Sequence, residues 1–403
     1  MPTGPVTRGS VARVGVATVL TALCGYLVLY LAARDLDPAG FSVFGVFWGA
    51  FGLVTGAAFG LLQEATREVR SARHAVRSPP YAAPGARTHP LRVAAVIGVT
   101  AGLLIAASAP LWAGHVFVAA RWTSVMLLSV GLAGFCLHAT LLGMLAGAGR
   151  WTQYGSLMVT DAGIRVAVAA ATFALSWGLV GYLWATVCGA VAWLVMLAAS
   201  PATRAAAQLV AYGDIATFLR GAAHAIAAAG ASAILVMGFP VLLKATSGNL
   251  GSTGGVVILA VTLTRAPLLV PLTAMQGNLI AHFVDQHTER MRALAGPWLL
   301  RVGFGADYRA DGALLAWLTA AAVSIALLTL TGAATVAAAM HRAYSLGWIG
   351  ATVASTALLL LPLELETRTV VALLTGPVVG IVVHLTALRM VRQTGPAPRP
   401  LGP

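Results

Sequence analysis

Apolar runs of about twenty residues, broken by short stretches rich in Arg, Gly and Pro, set the rhythm of this 403-residue chain. Windows of high hydropathy fall near 12–34, 42–63, 92–112, 118–148, 154–177 and 178–199, which makes six. A polar break at 200–221 follows, and windows near 222–243, 254–280, 312–337, 343–362 and 369–390 make five more. Each is close to the ~20 residues with which an α-helix crosses ~30 Å of hydrocarbon. Backbone inside lipid must satisfy its own hydrogen bonds, so each run predicts a transmembrane helix. The expected fold is an all-α polytopic membrane protein with about eleven full transmembrane helices.

Composition agrees and removes other classes. Hydrophobic residues make up 59% of the chain and charged residues 9%, against about 25% charged in soluble domains. The formal charge of +13 comes almost wholly from Arg, because Lys244 is the only lysine. In such a chain basicity reports membrane topology rather than a nucleic-acid partner. Cys24, Cys136 and Cys188 all lie in apolar runs, with no disulfide framework and no metal-ligand spacing. Arg8 and Arg13 before the apolar run 14–33 imitate a signal peptide. That run is long enough to span and further spans follow it, so a retained first helix is expected. The bias toward Ala, Gly and Arg suggests a high-GC bacterial genome, and with it the bacterial cytoplasmic membrane.

Arginine placement sets the orientation. If the N-terminus is cytoplasmic, so is the loop 63–91, which carries Arg67, Arg70, Arg73, Arg77 and Arg87 and no lysine. The next inside loops hold Arg150, then Arg204 and Arg220, whereas the outside turn RDLDPAGF is close to neutral. Eleven crossings would leave a tail bearing Arg389, Arg392 and Arg399 outside. A twelfth crossing is therefore expected within 281–312, where 293–304 is apolar but short, and it returns the C-terminus to the cytoplasm.

Four stretches carry a family likeness. DLDPAGFSVFGVFW (35–48) resembles the acidic or proline turn, then Gly, aromatic residue and span, of the lipid-linked polysaccharide flippases in the MOP (multidrug, oligosaccharidyl-lipid and polysaccharide exporter) superfamily. LLQEATREVR (61–70) is similar to the charged cytoplasmic end of the family's second helix, and LTRAPLLVPL (263–272) to its proline-bearing eighth helix. GFGADYR (303–309) resembles the stretch before its tenth helix, although the ninth helix that should precede it is reduced here to about a dozen apolar residues. The resemblance implies a twelve-helix plan of two pseudo-symmetric lobes around a central cavity that opens alternately to each side, as in other repeat-built transporters. On that plan 1–200 forms an N-terminal six-helix lobe and 201–221 a cytoplasmic linker. Residues 222–390 form a C-terminal lobe with one shortened crossing near 293–304, and 391–403 a cytoplasmic tail.

Charges inside the apolar runs are the candidate chemistry. In LMVTDAGIRVAVAA (157–170), Asp161 and Arg165 stand at i and i+4 and can meet on one helix face. They serve either as a self-satisfied packing pair or as a cavity wall in which Arg165 contacts an anion. Arg265 has no acid at helical spacing on its own segment, and the nearby Pro267 and Pro271 are expected to kink that helix. It lines the cavity, or snorkels, or pairs across helices. Gln153, Tyr154, Gln276 and Asn278 offer neutral hydrogen bonds for sugar hydroxyls or for neighbouring helices. Gate candidates are Arg34 and Asp35 at one end of helix 1, and Glu64 with Arg67 at the end of helix 2. His138, His224 and His384, each isolated in an apolar run, read more readily as hydrogen-bonded interior residues than as ligands.

Cations outnumber acids among these candidates, so an anionic substrate is expected, and a polyprenyl-diphosphate glycan fits because guanidinium forks match phosphate oxygens. The partners expected are this lipid-linked anionic glycan, membrane lipids and polysaccharide synthesis proteins, with no cofactor and no metal. Three other functions compete. A MATE-like small-molecule antiporter would present uncompensated acids, and only Asp161 qualifies. A membrane glycosyltransferase would use the D-x-D of Asp35 and Asp37, but that turn is too short to build an acceptor site. A degenerate, non-transporting partner of a synthesis complex is suggested by the short 293–304 stretch. No phosphate-binding G-x-x-x-x-G-K-[ST] loop occurs, which argues against a self-contained ATP-driven pump.

Overall fold

The computed structural model describes residues 8–77, 87–212, 214–274, 311–337 and 340–394, and almost all of them are helical. The N-terminal half contains α1 (Arg8–Asp35), α2 (Pro38–Arg77), α3 (Pro90–Val116), α4 (Arg121–Gly147) and α5 (Trp151–Leu175). It closes with α6 (Gly178–Cys188) and α7 (Ala192–Ala199), joined by a 3-10 turn at Gly189–Val191, and with the short α8 (Pro201–Ala207). The C-terminal half contains α9 (Ile215–Val236), α10 (Phe239–Ser247), α11 (Gly251–Ala274), α12 (Gly312–Ala337), α13 (His341–Leu359) and α14 (Leu365–Thr394). Nine segments among the described residues are long and apolar enough to cross a membrane. Every one of the eleven apolar windows holds a helix, and the chain is a multi-pass membrane protein.

Two windows are not single helices. The run 178–199 is interrupted by the 3-10 turn between α6 and α7, and the run 222–243 is broken at Met237 and Gly238 between α9 and α10. Pro240 at the start of α10 explains the second break, since a proline has no N–H to give to the previous turn and suits a helix start. The stretch 201–221 is also more ordered than a polar linker: α8 is followed by Ala211–Tyr212, which pairs antiparallel with Arg87–Thr88. Asp214 then caps α9 by accepting the Thr217 N–H at 3.0 Å. Residues Gln276 and Asn278, the GFGADYR motif and the expected short crossing at 293–304 lie outside the described residues.

The loops sort to two ends. At one end Arg13 donates to the Thr152 hydroxyl at 2.8 Å, Arg73 to the Ala148 carbonyl and Arg150 to the Ala202 carbonyl at 2.6 Å. Arg204 donates to the Leu197 and Ala198 carbonyls. Arg73 and Arg204 thereby satisfy carbonyls that the C-termini of α4 and α7 leave open, where the helix dipole also favours a cation. The positive-inside reading had placed the same loops on one side, and here they share one end of the bundle.

The halves meet along α2, which packs on α3, α4 and α6 of its own half and on α9 and α11 of the other. Close approach depends on small residues. A Cβ on Gly60 would meet the backbone of Ala225 and Ile226 in α9, and Gly56 lies against Ala233. α2 and α9 therefore run antiparallel in near-backbone contact, with Gly221 of α9 against Glu64 and Met237 against Gly52.

Candidate functional site

The middle of the bundle holds a half-buried guanidinium group in one half and a buried one in the other. Arg165 on α5 donates to Asp161 Oδ1 from Nη2 at 3.1 Å and from Nε at 3.3 Å. Its guanidinium carbon lies 5.5 Å from the centroid of the Phe51 ring on α2, a cation–π distance. Gly189, in the 3-10 turn, packs directly on both partners; a Cβ there would lie 2.5 Å from Arg165 Nε and collide with the Asp161 carboxylate. The turn between α6 and α7 thus makes room for the pair. His138 of α4 stacks on Phe135 at 5.2 Å within electrostatic reach of both charges, and its Nδ1 is buried without a partner among the described residues.

Arg265 on α11 is 6% exposed. Its Nη1 donates to the carbonyls of Val236 at 3.0 Å and Leu235 at 3.3 Å, the open end of α9 at the break. The group stands 5.3 Å from the Phe239 ring, and its Nη2 is buried with no partner among the described residues. A helix ending in mid-bundle leaves carbonyls that only a neighbouring donor can satisfy. Arg265 fills that role and keeps one guanidinium nitrogen over.

The two cations share a depth but not a space. Phe51 of α2 faces Arg165, while Gly49 and Gly52 of α2 face Pro240 and Met237 beside Arg265. α2 stands between them. Pro267 and Pro271 lie in α11, which continues as helix past both to Ala274.

The remaining candidates spread along the bundle. Tyr154 packs with Leu141, Leu145 and Met196 at the arginine-rich end, and Gln153 is half-buried beside it. Glu64 is 4% exposed and holds Arg67 by a two-pronged contact of 2.5 and 3.0 Å, with Glu68 a further 2.9 Å from Arg67. This cluster lies where α2 meets α9, between the halves. Asp35 has a buried Oδ2 with no partner among the described residues, beside Tyr182, whose hydroxyl donates to the Leu31 carbonyl, whereas Arg34 is exposed. His384 is fully buried and bonded to Thr331 at 3.0 Å and to the Tyr344 carbonyl at 3.2 Å. His224 is exposed and bonded to the Arg220 carbonyl.

Sequence reading missed the break that Arg265 caps and the ring beneath Arg165. The first had a signal in Met237-Gly238-Phe239-Pro240. The second had none, because Phe51 is one aromatic among 30 in the chain and nothing in its spacing singles it out.

No family model matches the sequence. The uncharacterized protein Mb3654 of Mycobacterium bovis is 70% identical over 96% of this chain and 93% of its own length. Two uncharacterized proteins of Mycobacterium tuberculosis, Rv3630 and Rv1510, are 70% and 68% identical over the same shares. Among solved structures, an inward-facing multidrug resistance MATE family transporter of the MOP superfamily superposes with a TM-score of 0.68 at 15% identity, covering 95% of this chain and all of that one. An outward-facing form gives 0.65 at 16% identity, over 96% and 97% of the two chains. A MOP superfamily transporter from Pyrococcus furiosus, described as having a binding pocket of reverse polarity that suggests a different function, gives 0.55 at 13% identity and 96% coverage of each chain. The described helices thus have the two-lobed fold of the MATE transporters.

Proposed function

We propose a transport function on the premise that this chain belongs to the mycobacterial family of Mb3654, Rv3630 and Rv1510 and folds as MOP-superfamily transporters do. The substrate is an anionic, lipid-linked saccharide, a polyprenyl-diphosphate glycan, moved across the bacterial cytoplasmic membrane by alternating access of the two halves.

Two buried cations with no acid beside them among the described residues carry this reading. Among the described residues, Asp161 pairs with Arg165, and Glu64 and Glu68 with Arg67. Arg265 and Lys244 are buried with no acid in contact. These two buried cations suit diphosphate oxygens and disfavour an organic cation. Arg265 Nη2 is a donor waiting for an acceptor. Arg165 already has a ring on one side and a carboxylate on the other, so a phosphate would compete with Asp161 for its fork. The protein lowers the cost of carrying a polar head group through hydrocarbon, and no covalent step is required.

Replacing the native copy with Arg165→Ala in the producing cell tests this. The expected result is accumulation of the lipid-linked saccharide and loss of its exported product, with normal membrane insertion and partial retention by Arg165→Lys. Normal export by the Ala variant, or loss of organic-cation efflux in its place, contradicts the proposal and favours a small-molecule antiporter.

A further inference from the structure

Away from both arginines, two cavities line up between the halves toward the end opposite the arginine-rich loops. The larger, about 340 Å³, lies between α2, α3 and α10. The smaller, about 150 Å³, continues toward the turns that begin α2 and α11, and the two share Val116.

Their walls are helical ridges. On α3 the lining runs Leu104, Ser108, Trp112 and Val116, one residue per turn and all on one face. At 1.5 Å per residue this stripe is ~18 Å long, close to one leaflet's share of a ~30 Å hydrocarbon core. α2 supplies the facing ridge, from Ser42 through Val46 to Ala50 and Val54, and runs antiparallel to it.

The larger cavity offers nothing polar. Its indole and hydroxyl satisfy each other, Trp112 Nε1 donating to Ser108 Oγ at 3.0 Å. Leu104, at the deep end, is 64% exposed, so the slot opens sideways into the bilayer. The smaller cavity is different, because Lys244, the chain's single lysine, lines it together with Asn249 and Gly251. Lys244 is 6% exposed, its ammonium donates to the Gly248 carbonyl, and no ion pair among the described residues includes it. Two of its three N–H donors remain for a ligand. Gly251 opens α11, so the positive end of that helix adds to the cation.

We propose that this groove holds one acyl chain of an anionic glycerophospholipid, with its phosphate at Lys244. The apolar slot fits an alkyl chain, the buried unpaired ammonium fits a phosphate, and the one-leaflet length suits an acyl chain rather than a longer polyprenyl chain. Because α2 and α3 belong to one half and α10 to the other, the bound lipid spans their interface and its occupancy changes as the halves move. The site is separate from Arg165 and does not depend on the transported substrate.

The full-length protein in nanodiscs, photolabelled with phosphatidylglycerol carrying a mid-chain diazirine, tests the site, with the matching phosphatidylcholine as control. Adducts on residues 104–116 are expected to be about five-fold richer with the anionic lipid, the size of one lysine–lipid contact. Lys244→Gln is expected to erase that preference, and Ala50→Phe to suppress labelling of 104–116 by both lipids. Equal labelling by the two lipids in the wild type marks only the annular shell and overturns the proposal, whether or not either variant folds. So does a preference that persists in a folded Lys244→Gln.

Discussion

At the scale of single residues, buried cations in this chain are distinguished by what they already hold. Arg265→Ala removes the donor from two carbonyls at the end of α9, and each unpaired buried carbonyl costs on the order of 1–3 kcal/mol. The expected result is a clear fall in thermal midpoint in detergent, and an unchanged midpoint would mean that water or lipid closes the break. Asp161 and Arg165 behave differently, because removing one partner strands the other. Asp161→Asn should destabilise by ~3–5 kcal/mol, and the pair Asp161→Asn with Arg165→Gln by less than either change alone. Additive losses in that cycle would show that the contact of 3.1 Å contributes nothing. The Asp161–Arg165 pair is satisfied within its half, and its cation keeps one face on Phe51 of the interface helix α2.

Among the elements, the periodicity of apolar residues was enough to place all eleven helical windows, because a membrane helix has to be apolar along its whole length. It could not place the interruptions, which turn on single residues. Pro240 and Gly238 mark the end of α9 in the sequence, yet a window average over 222–243 stays apolar through them. The candidate site was legible only as a list of charges. The i, i+4 spacing brought Asp161 and Arg165 together correctly, while the partners of Arg265 are 29 and 30 residues away and follow from tertiary packing alone. The contact of α2 with α9 gives the test at this scale. Gly60→Ala inserts a methyl against the α9 backbone and should cost ~1–3 kcal/mol, read as a lowered thermal midpoint, whereas the same change at Gly163, where a Cβ meets nothing within 4 Å, should cost nothing.

For the molecule as a whole, arginine distribution and window counting expect different topologies for the second half, twelve crossings against eleven. α11 starts beside Pro38 and passes the α9 break at Arg265, so Ala274 lies toward the arginine-rich end. α12 runs antiparallel to α13, with Gly332 against Tyr344 and Trp348. The twelve-crossing plan expects Gly312 at the opposite end from Ala274. In a variant without native cysteines, Arg342→Cys should react with an impermeant maleimide from the same side as Arg204→Cys, and Glu366→Cys from the other. Labelling of both from one side would break the helix order assigned to the second half.

The central claim is that this fold carries an anionic lipid-linked head group, and reconstitution tests it without cellular context. Purified protein in vesicles is given a fluorescent polyprenyl-diphosphate disaccharide, and dithionite quenches only the probe exposed outside. Transport predicts quenching that proceeds beyond the outer-leaflet pool in the presence of wild-type protein and stops there with Arg165→Ala. Quenching that stops at the outer leaflet with the wild-type protein, in vesicles where the protein is folded, would contradict the account.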